Sequence, residues 1–447
     1  MSGSFSKIAF LAFIEAEVTS DSKPLLAGIS RIAPLLIPLS LLNSTLALLP
    51  SSAEYYVLTD STTSHSQISD LLDNGAAKVV SPDTTLIGTI SPSRLILRIG
   101  STTATLLADT NILNGISSIL LDTPSFTENL LKSYRTALNN ATGRPRDLFI
   151  LASSREPEVI LHQPASLKLM SKTVNGTSVL PFSFLSLSLG NPTSPQPEDG
   201  KLSITTLFTS TLRSDRSDGL FPTLPISLSS VPSALGLVYS SSASIANTIT
   251  SGNAVYYSRS RNGLWRKGET SGAMQMVERI RIDCDSDALE FGVLETGPNG
   301  EKDGFCHVPD QQSCFGPNSG LAELEATLKG RKKDAPKGSY SARLFAEPAL
   351  LKAKIMEEAS ELCEATTKEE IAAEAADLFY FALAKCVGAG VGLREISKVL
   401  DKRAMKVTRR KGDAKKEWVE KLGLTNGQSL GVAGGVSGSS PSPAPQS

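Results

Sequence analysis

Seven short apolar runs in the first 205 residues constrain the fold most: KIAFLAFI, LLIPL, YYVLT, AKVV, RLILRI, SILLD and DLFILA recur with polar breaks between them. Runs of this length read as buried strands. Between some of them lie helix-like stretches, HSQISDLLDNG and SFTENLLKSYRTALNN, so strand and helix alternate as in an α/β domain. An N-terminal α/β domain over residues 1–205 is therefore expected, and a degenerate βα barrel is one form it can take. The proline-rich NPTSPQPED at 191–199 reads as a loop or linker.

At 447 residues the chain exceeds one ordinary hydrophobic core, which sets an expectation of two to three domains. Residues 206–318 mix short strand patterns with glycine turns and hold three of the five cysteines, suggesting a central α+β domain. From 319 to 418 the composition shifts to Ala, Glu, Lys and Leu at helical spacing, so a third, all-α domain is expected there. The Gly, Ser and Pro tract that closes the chain has little to bury, and 419–447 is expected to be a disordered tail.

The 44 basic and 45 acidic residues nearly cancel, which argues against nucleic acid or an anionic membrane and favours a compact small-molecule substrate. Glu15 and Glu17 interrupt the first apolar run before a signal-peptide core is complete. No stretch approaches the roughly 20 apolar residues that cross a bilayer. A soluble cytoplasmic protein is the expectation. Three of five cysteines lie close together in a long chain, which favours metal ligation in a reducing compartment over a disulfide framework.

In RIDCDSDALEF, the flanking apolar residues suggest a strand, on which Asp283, Asp285 and Asp287 share one face and Cys284 takes the other. Three carboxylates on one face repel unless a cation sits among them, and hard oxygen ligands suit magnesium. Downstream, FCHVPDQQSCF supplies Cys306, His307 and Cys314; three thiolates around an open fourth position make a workable catalytic zinc arrangement. Composition alone leaves this reading and that of buried cysteines with a solvated acidic loop evenly matched.

What separates them is a resemblance. DGLFPTLP, LGLVYSS, AVYYSRSRNGLWRKGETSGAMQMVERIRIDCDSDAL and FCHVPDQQSCFG resemble phosphoribosyl-AMP cyclohydrolase over most of that domain. The resemblance implies magnesium on Asp283, Asp285 and Asp287, and zinc on Cys284, Cys306 and Cys314 at a homodimer interface. It implies hydrolytic opening of the adenine ring, with His307 as a proton carrier or a structural hydrogen bonder. It also implies substrate-handling loops carrying Arg259, Arg261, Trp265, Arg266, Lys267, Thr270 and Ser271. One departure stands out: seven residues separate Cys306 from Cys314 where the family usually has six, and a basic residue of that loop is missing.

PALLKAKIMEEASELCEA opens on Pro348 and carries Glu357, Glu358 and Glu361 at helical spacing. Thr367 with Glu370 reads as a capping box opening IAAEAADLFYFALAKCV, which bears Glu374 and Asp377 three apart inside an otherwise apolar helix. An antiparallel pair of such helices brings the acidic groups face to face, a cage suited to magnesium and a pyrophosphate. The pattern EExxE, twelve residues, then ExxD resembles the all-α nucleotide pyrophosphohydrolases that include MazG and phosphoribosyl-ATP pyrophosphohydrolase. LAELEATLKGRKKDAPKGSYSARLF and VTRRKGDAKKEW narrow the likeness to the latter. It implies magnesium on the five carboxylates and substrate contacts from Tyr340, Arg343 and Lys354. The whole resembles the front part of fungal multifunctional histidine proteins, without their histidinol dehydrogenase part. A second reading keeps the helices as a general nucleotide pyrophosphohydrolase beside a zinc-stabilised structural domain.

Overall fold

The computed structural model describes residues 8–100, 109–116, 118–123, 134, 136, 147–152, 178–179, 181–183, 187–190, 201–296, 305–308, 311–408, 415 and 417. The linker at 191–199, the tail at 419–447 and the helix-like stretch at 125–140, apart from Tyr134 and Thr136, lie outside the described residues. Every described element belongs to one compact unit, Met1–Val407, apart from the single helical residue Glu417.

All seven apolar runs form strands: β1 Leu11–Phe13, β2 Leu35–Pro38, β3 Tyr55–Leu58, β4 Lys78–Ser81, β5 Leu95–Gly100, β6 Ser118–Thr123 and β7 Asp147–Ala152. Each pairs in parallel with the next in chain order. Two short strands were not legible as a run: β8 Ser178–Val179 pairs with β7, and β9 Pro181–Ser183 pairs with β1. Only residue 180 separates them, so this one segment carries the pairing from the last strand back to the first and closes the parallel sheet on itself. Helices α1 Lys23–Ile32, α2 Leu42–Leu46, α3 His65–Asp73 and α4 Thr110–Asn114 connect the strands. Helix α3 opens on a capping box between Ser64 and Gln67. Leu35, Leu36, Ile37, Ile119, Leu120 and Leu121 are fully buried, as strands of a parallel sheet covered on both faces must be.

A two-stranded pairing of β10 Leu187–Ser188 with β11 Leu202–Ser203 leads into helix α5 Ile204–Ser210 and a second sheet. Its strands are β12 Phe221–Ser227, β13 Ser233–Ala234, β14 Val238–Ser240, β15 Val255–Ser258, β16 Gly263–Arg266, β17 Met274–Ile282 and β18 Leu289–Thr296, with helix α6 Ser242–Ser251 between β14 and β15. The order is β16-β15-β14-β12-β18-β17, with β13 paired to β12, and β12–β18 is the parallel pair in an otherwise antiparallel sheet. Five helices follow: α7 Gly320–Lys333, α8 Tyr340–Ala346, α9 Pro348–Glu364, α10 Lys368–Gly388 and α11 Leu393–Ala404. An α/β region, a sheet-rich domain and a helical domain thus succeed one another. Among the described residues no single helix is long and apolar enough to cross a membrane.

The two sheets share one apolar core. Leu26 and Ile29 of α1, Phe208 of α5, Ile245 and Ile249 of α6, and Val277 and Phe291 of the second sheet belong to the same buried cluster. The helices have their own, built on Leu328, Leu344, Leu351, Phe381, Ala384 and Val387. At the seam between the sheets, Arg31 of α1 donates to the Ile249 carbonyl at 3.0 Å and to the Val277 carbonyl at 3.1 Å. Burial holds its guanidinium below the ordinary arginine pKa. Gly252 closes α6 in the left-handed region at φ +74°, and a Cβ there would sit 2.4 Å from Arg31 Nη2. Gly252→Ala therefore forces both a strained backbone and a displaced guanidinium. We expect it to lower unfolding free energy by about 1–3 kcal/mol, read as a shift in the urea midpoint at unchanged slope.

One expectation fails here. Residues 283–288 are not strand: β17 ends at Ile282, β18 starts at Leu289, and the aspartates occupy the turn between them. Asp283 Oδ1 accepts from the amides of Asp287 at 3.0 Å and Ala288 at 3.2 Å, and Ser286 adopts φ +73°. An aspartate that satisfies two amides ahead of it stabilises a turn over continued pairing.

Candidate functional sites

The turn does what strand alternation was expected to do. Carboxylate oxygens of Asp283, Asp285 and Asp287 lie within 4.8 Å of one another. The loop before β12 is fixed onto this turn by the Arg213 amide, which donates to the Ser286 carbonyl at 2.8 Å. Burial pushes the Asp283 carboxyl up, but the amides of Ala288 and Asp287 and side-chain bonding outweigh it and hold the group low. Asp287 is raised, first by sharing a hydrogen bond with Asp283, then by burial and by the charges of Asp283, Asp285 and Asp215. All the donors are oxygens, the set a hard divalent cation takes.

Cys306 and Cys314 come together beside the β13–β14 connection. The Cys314 amide donates to the Leu235 carbonyl at 2.8 Å, Ser313 Oγ donates to the Ala234 carbonyl at 2.7 Å, and the Phe305 amide to the Gln312 carbonyl at 2.7 Å. Gly236 permits this close seat, since a Cβ there would lie 2.5 Å from the Phe305 ring. The Cys314 thiol is raised, first by burial and then by a hydrogen bond and charge from Cys306, while Lys267 opposes this. Two thiols in contact are suited to a thiophilic cation that favours both thiolates. Cys284 is exposed, with Sγ 3.9 Å from Asp285 Oδ1, and does not join the other two within 4.8 Å. His307 is exposed beside the pair.

The remaining cyclohydrolase candidates divide by burial. Arg259 stacks on the Tyr239 ring at 4.2 Å, and Arg216, held by Asp218 at 2.9 and 2.6 Å, stacks on the same ring at 4.6 Å. Arg261 pairs with Glu269 at 3.2 Å, and Arg266, Thr270 and Ser271 are exposed. Trp265 instead joins an aromatic cluster, 5.8 Å from Tyr256 and 6.5 Å from Phe305. Lys267 is 7% exposed, with Nζ 5.3 Å from the Phe305 ring, so it stands beside the thiols rather than among the exposed arginines. The Arg216–Tyr239 stack was missed; Arg216 lies two residues before the DGLFPTLP segment, and only Tyr239, within LGLVYSS, falls in matching text.

In the helical domain the carboxylates meet as the hairpin requires. Glu357, Glu358 and Glu361 form one group within 4.8 Å, and Glu358, Glu374 and Asp377 a second, so Glu358 belongs to both. The Thr367 capping box is present, with bonds of 3.1 and 3.2 Å to and from Glu370. Lys354 Nζ lies 2.8 Å from Glu357 and 2.7 Å from Glu358, and these two contacts raise its pKa. Its ammonium also stands 5.3 Å from the Phe381 ring, against which Tyr340 packs edge-on at 6.3 Å. Arg343 pairs with Glu347 of the next turn at 3.1 Å. Desolvation, then the charges of Glu358, Glu374 and Glu357, pushes the Glu361 carboxyl up. A second expectation needs correction. Asp377 is exposed and Phe379 is 52% exposed, so the apolar residues around the acidic pair do not bury it within one chain.

Comparison with known proteins places two families on these sites. Residues 236–316 match the phosphoribosyl-AMP cyclohydrolase family, and residues 321–404 match the phosphoribosyl-ATP pyrophosphohydrolase family. The histidine biosynthesis bifunctional protein his7 of Schizosaccharomyces pombe is 44% identical over 360 residues, covering 79% of this chain and 81% of that protein. The histidine biosynthesis bifunctional protein HisIE of Bacillus subtilis is 37% identical over 201 residues, 42% of this chain and 92% of that protein. A histidine biosynthesis trifunctional protein of Neurospora crassa is 52% identical over 232 residues, which span 52% of this chain but only 26% of that relative.

Proposed function

The chain belongs to the family of histidine biosynthesis bifunctional proteins, joining a phosphoribosyl-ATP pyrophosphohydrolase to a phosphoribosyl-AMP cyclohydrolase, and from this we propose how its residues divide the work. The helical domain removes pyrophosphate from phosphoribosyl-ATP, and the second-sheet domain opens the adenine ring of the phosphoribosyl-AMP so formed. The observation that carries the reading is the pair of carboxylate groups hinged on Glu358, directly beside Lys354.

In the helical domain, Glu357, Glu358, Glu361, Glu374 and Asp377 would hold magnesium. Bound there, magnesium would neutralise the phosphate oxygens. Lys354 bridges Glu357 and Glu358 and holds them in place beside the cage, and Tyr340 walls the site through Phe381. Arg343 is free to turn from Glu347 to a phosphate, since both are exposed and such a pair is worth little on its own.

In the cyclohydrolase domain, Cys306, Cys314 and Cys284 would hold zinc, whose role is to acidify water. Cys284 does not reach the other two within one chain, so a second copy is proposed to supply it, which makes the protein a homodimer. Exposed apolar side chains on the helical domain, Met356, Ile371 and Phe379 among them, fit a second copy there as well. Asp283, Asp285 and Asp287 would hold magnesium. Arg259, Arg261, Arg266, Thr270 and Ser271 receive the phosphates, Lys267 stabilises charge beside the thiols, Trp265 supports the loop, and His307 moves the proton. Residues 1–205 are read as a degenerate βα barrel of structural or regulatory role, residues 206–318 and 319–418 as the two catalytic domains, and the cytoplasm as their location.

Incubating the purified protein with phosphoribosyl-ATP, zinc and magnesium tests both steps, with pyrophosphate and ring-opened product followed separately. Both products are expected, pyrophosphate first. Pyrophosphate with accumulating phosphoribosyl-AMP would instead mean that the lengthened Cys306–Cys314 loop has cost the second activity.

A further inference from the structure

Helix α11, the last of the helical domain, has no buried residue, and its Val399 and Leu400 are 48% and 57% exposed. A twelve-residue helix is marginal in water without an apolar face to pack. Apart from Leu393, which packs on the core of the helical domain, this one is held by polar ties. At its start, the Leu393 amide donates to Glu325, which is 1% exposed and also accepts from Ser230 of the second-sheet domain. In its first turn, Arg394 pairs at 3.2 Å with Glu278, the residue at the bulge of β17. Just past its end, the Val407 amide donates to Asp73 at the close of α3 at 2.6 Å, and the Met405 carbonyl accepts from Arg94 at 2.5 Å. Arg94 is itself fixed by the carbonyls of Leu72, Ala76 and Ala77.

These ties form a closed circuit. The bulge gripped by Arg394 through Glu278 is also gripped by Arg31, whose guanidinium donates to the carbonyl of the preceding Val277. The path runs from the N-terminal domain through Arg31 to β17, through Glu278 to α11, and through Asp73 and Arg94 back to the N-terminal domain. Both N-terminal ends of the circuit lie before residue 236, where the first matched family begins.

We propose that the N-terminal domain is the anchor that fixes the last helix of the pyrophosphohydrolase domain against the cyclohydrolase domain, so that the two catalytic domains share one rigid frame. The proposal takes from the functional reading only the names of the two catalytic domains. A carboxylate on a main-chain amide and an arginine on a main-chain carbonyl are charge-assisted bonds, and they cap the carbonyl and amide that the helix end leaves without helical partners. Because none of the anchoring residues touches a proposed ligand group, they act on the frame and not on the chemistry.

Amide hydrogen exchange on the full chain tests this. Two variants are compared with the parent: Asp73→Ala with Val407→Pro, which removes the Val407 tie and the Asp73 charge beside Arg94 while leaving the bond from Arg94 to Met405, and Arg394→Gln, which unties the near end. Peptides covering 393–407 are expected to exchange at least about tenfold faster in each, while α9, α10 and β18 keep the parent's protection. Unchanged exchange at 393–407 in both variants would overturn the proposal. So would equal loss of protection throughout the N-terminal domain in the first variant with none at 393–407 in the second, which would mean general destabilisation. The exchange readout needs neither activity, so loss of the anchor and loss of the functional assignment are separately visible.

Discussion

Replacing Cys306 with serine is expected to reduce ring opening of phosphoribosyl-AMP by at least about a thousandfold while pyrophosphate release from phosphoribosyl-ATP stays within about twofold. The asymmetry follows from the layout. Cys314 is seated on the β13–β14 connection by its amide on the Leu235 carbonyl and by Ser313 Oγ on the Ala234 carbonyl, with Cys306 held near it through the Phe305–Gln312 bond, whereas the carboxylate cage sits on α9 and α10 with a separate core. A hydroxyl in place of the thiol keeps the seat and removes the soft ligand. Cys284→Ser should be equally inactive in ring opening, although Cys284 is exposed and apart from the pair within one chain. Mixing the two inactive variants after dissociation discriminates between a shared and a private site. In a two-fold dimer a hybrid retains one complete set of three thiols, so random reassortment should recover about a quarter of the parent's activity. No recovery on mixing, with hybrids demonstrated by mass, would remove Cys284 from a shared zinc site.

The sequence was most informative where a local pattern decides local structure. Seven apolar runs became seven strands because burial on both faces requires unbroken apolar text. The segment that closes the sheet escaped notice because SVLPFS is short and carries Pro181, and its two halves pair with strands far apart in the chain. The aspartates show a subtler limit. Alternation predicted the right grouping from the wrong element, since the turn set by Asp283 gathers the three carboxylates that a strand would have aligned. The acidic helices were legible from spacing alone, yet the inference that an apolar helix buries Glu374 and Asp377 failed because Phe379 faces outward in a single chain. Least legible was the hold on α11, whose ties join Asp73 to Val407 and Glu278 to Arg394. Such long-range pairs leave no periodic trace.

Glu358→Gln should have the corresponding effect on the first reaction, lowering pyrophosphate release by at least about a thousandfold with ring opening of supplied phosphoribosyl-AMP unaffected. Glu358 is the position at which the loss should be greatest, because it is 5% exposed and is the one carboxylate common to both groups. An amide of the same shape keeps the packing and a hydrogen bond to Lys354 but removes the charge both groups share. The stability of the protein gives an independent reading. Without a cation, desolvation and then Glu358, Glu374 and Glu357 hold the Glu361 carboxyl above its ordinary range. A carboxyl raised in the folded state favours folding while protonated, and that advantage is lost as pH rises from the unfolded value through the folded one. The cation-free parent should therefore lose stability across the upper carboxylate range, and Glu358→Gln should lessen that slope by removing the largest of the neighbouring charges. Magnesium should raise the parent's melting temperature in proportion to its binding and the variant's far less. Should the variant keep more than a tenth of the parent's rate and be stabilised by magnesium to the same extent, Glu358 would not be a ligand, and the cage would have to be rebuilt around Glu361, Glu374 and Asp377.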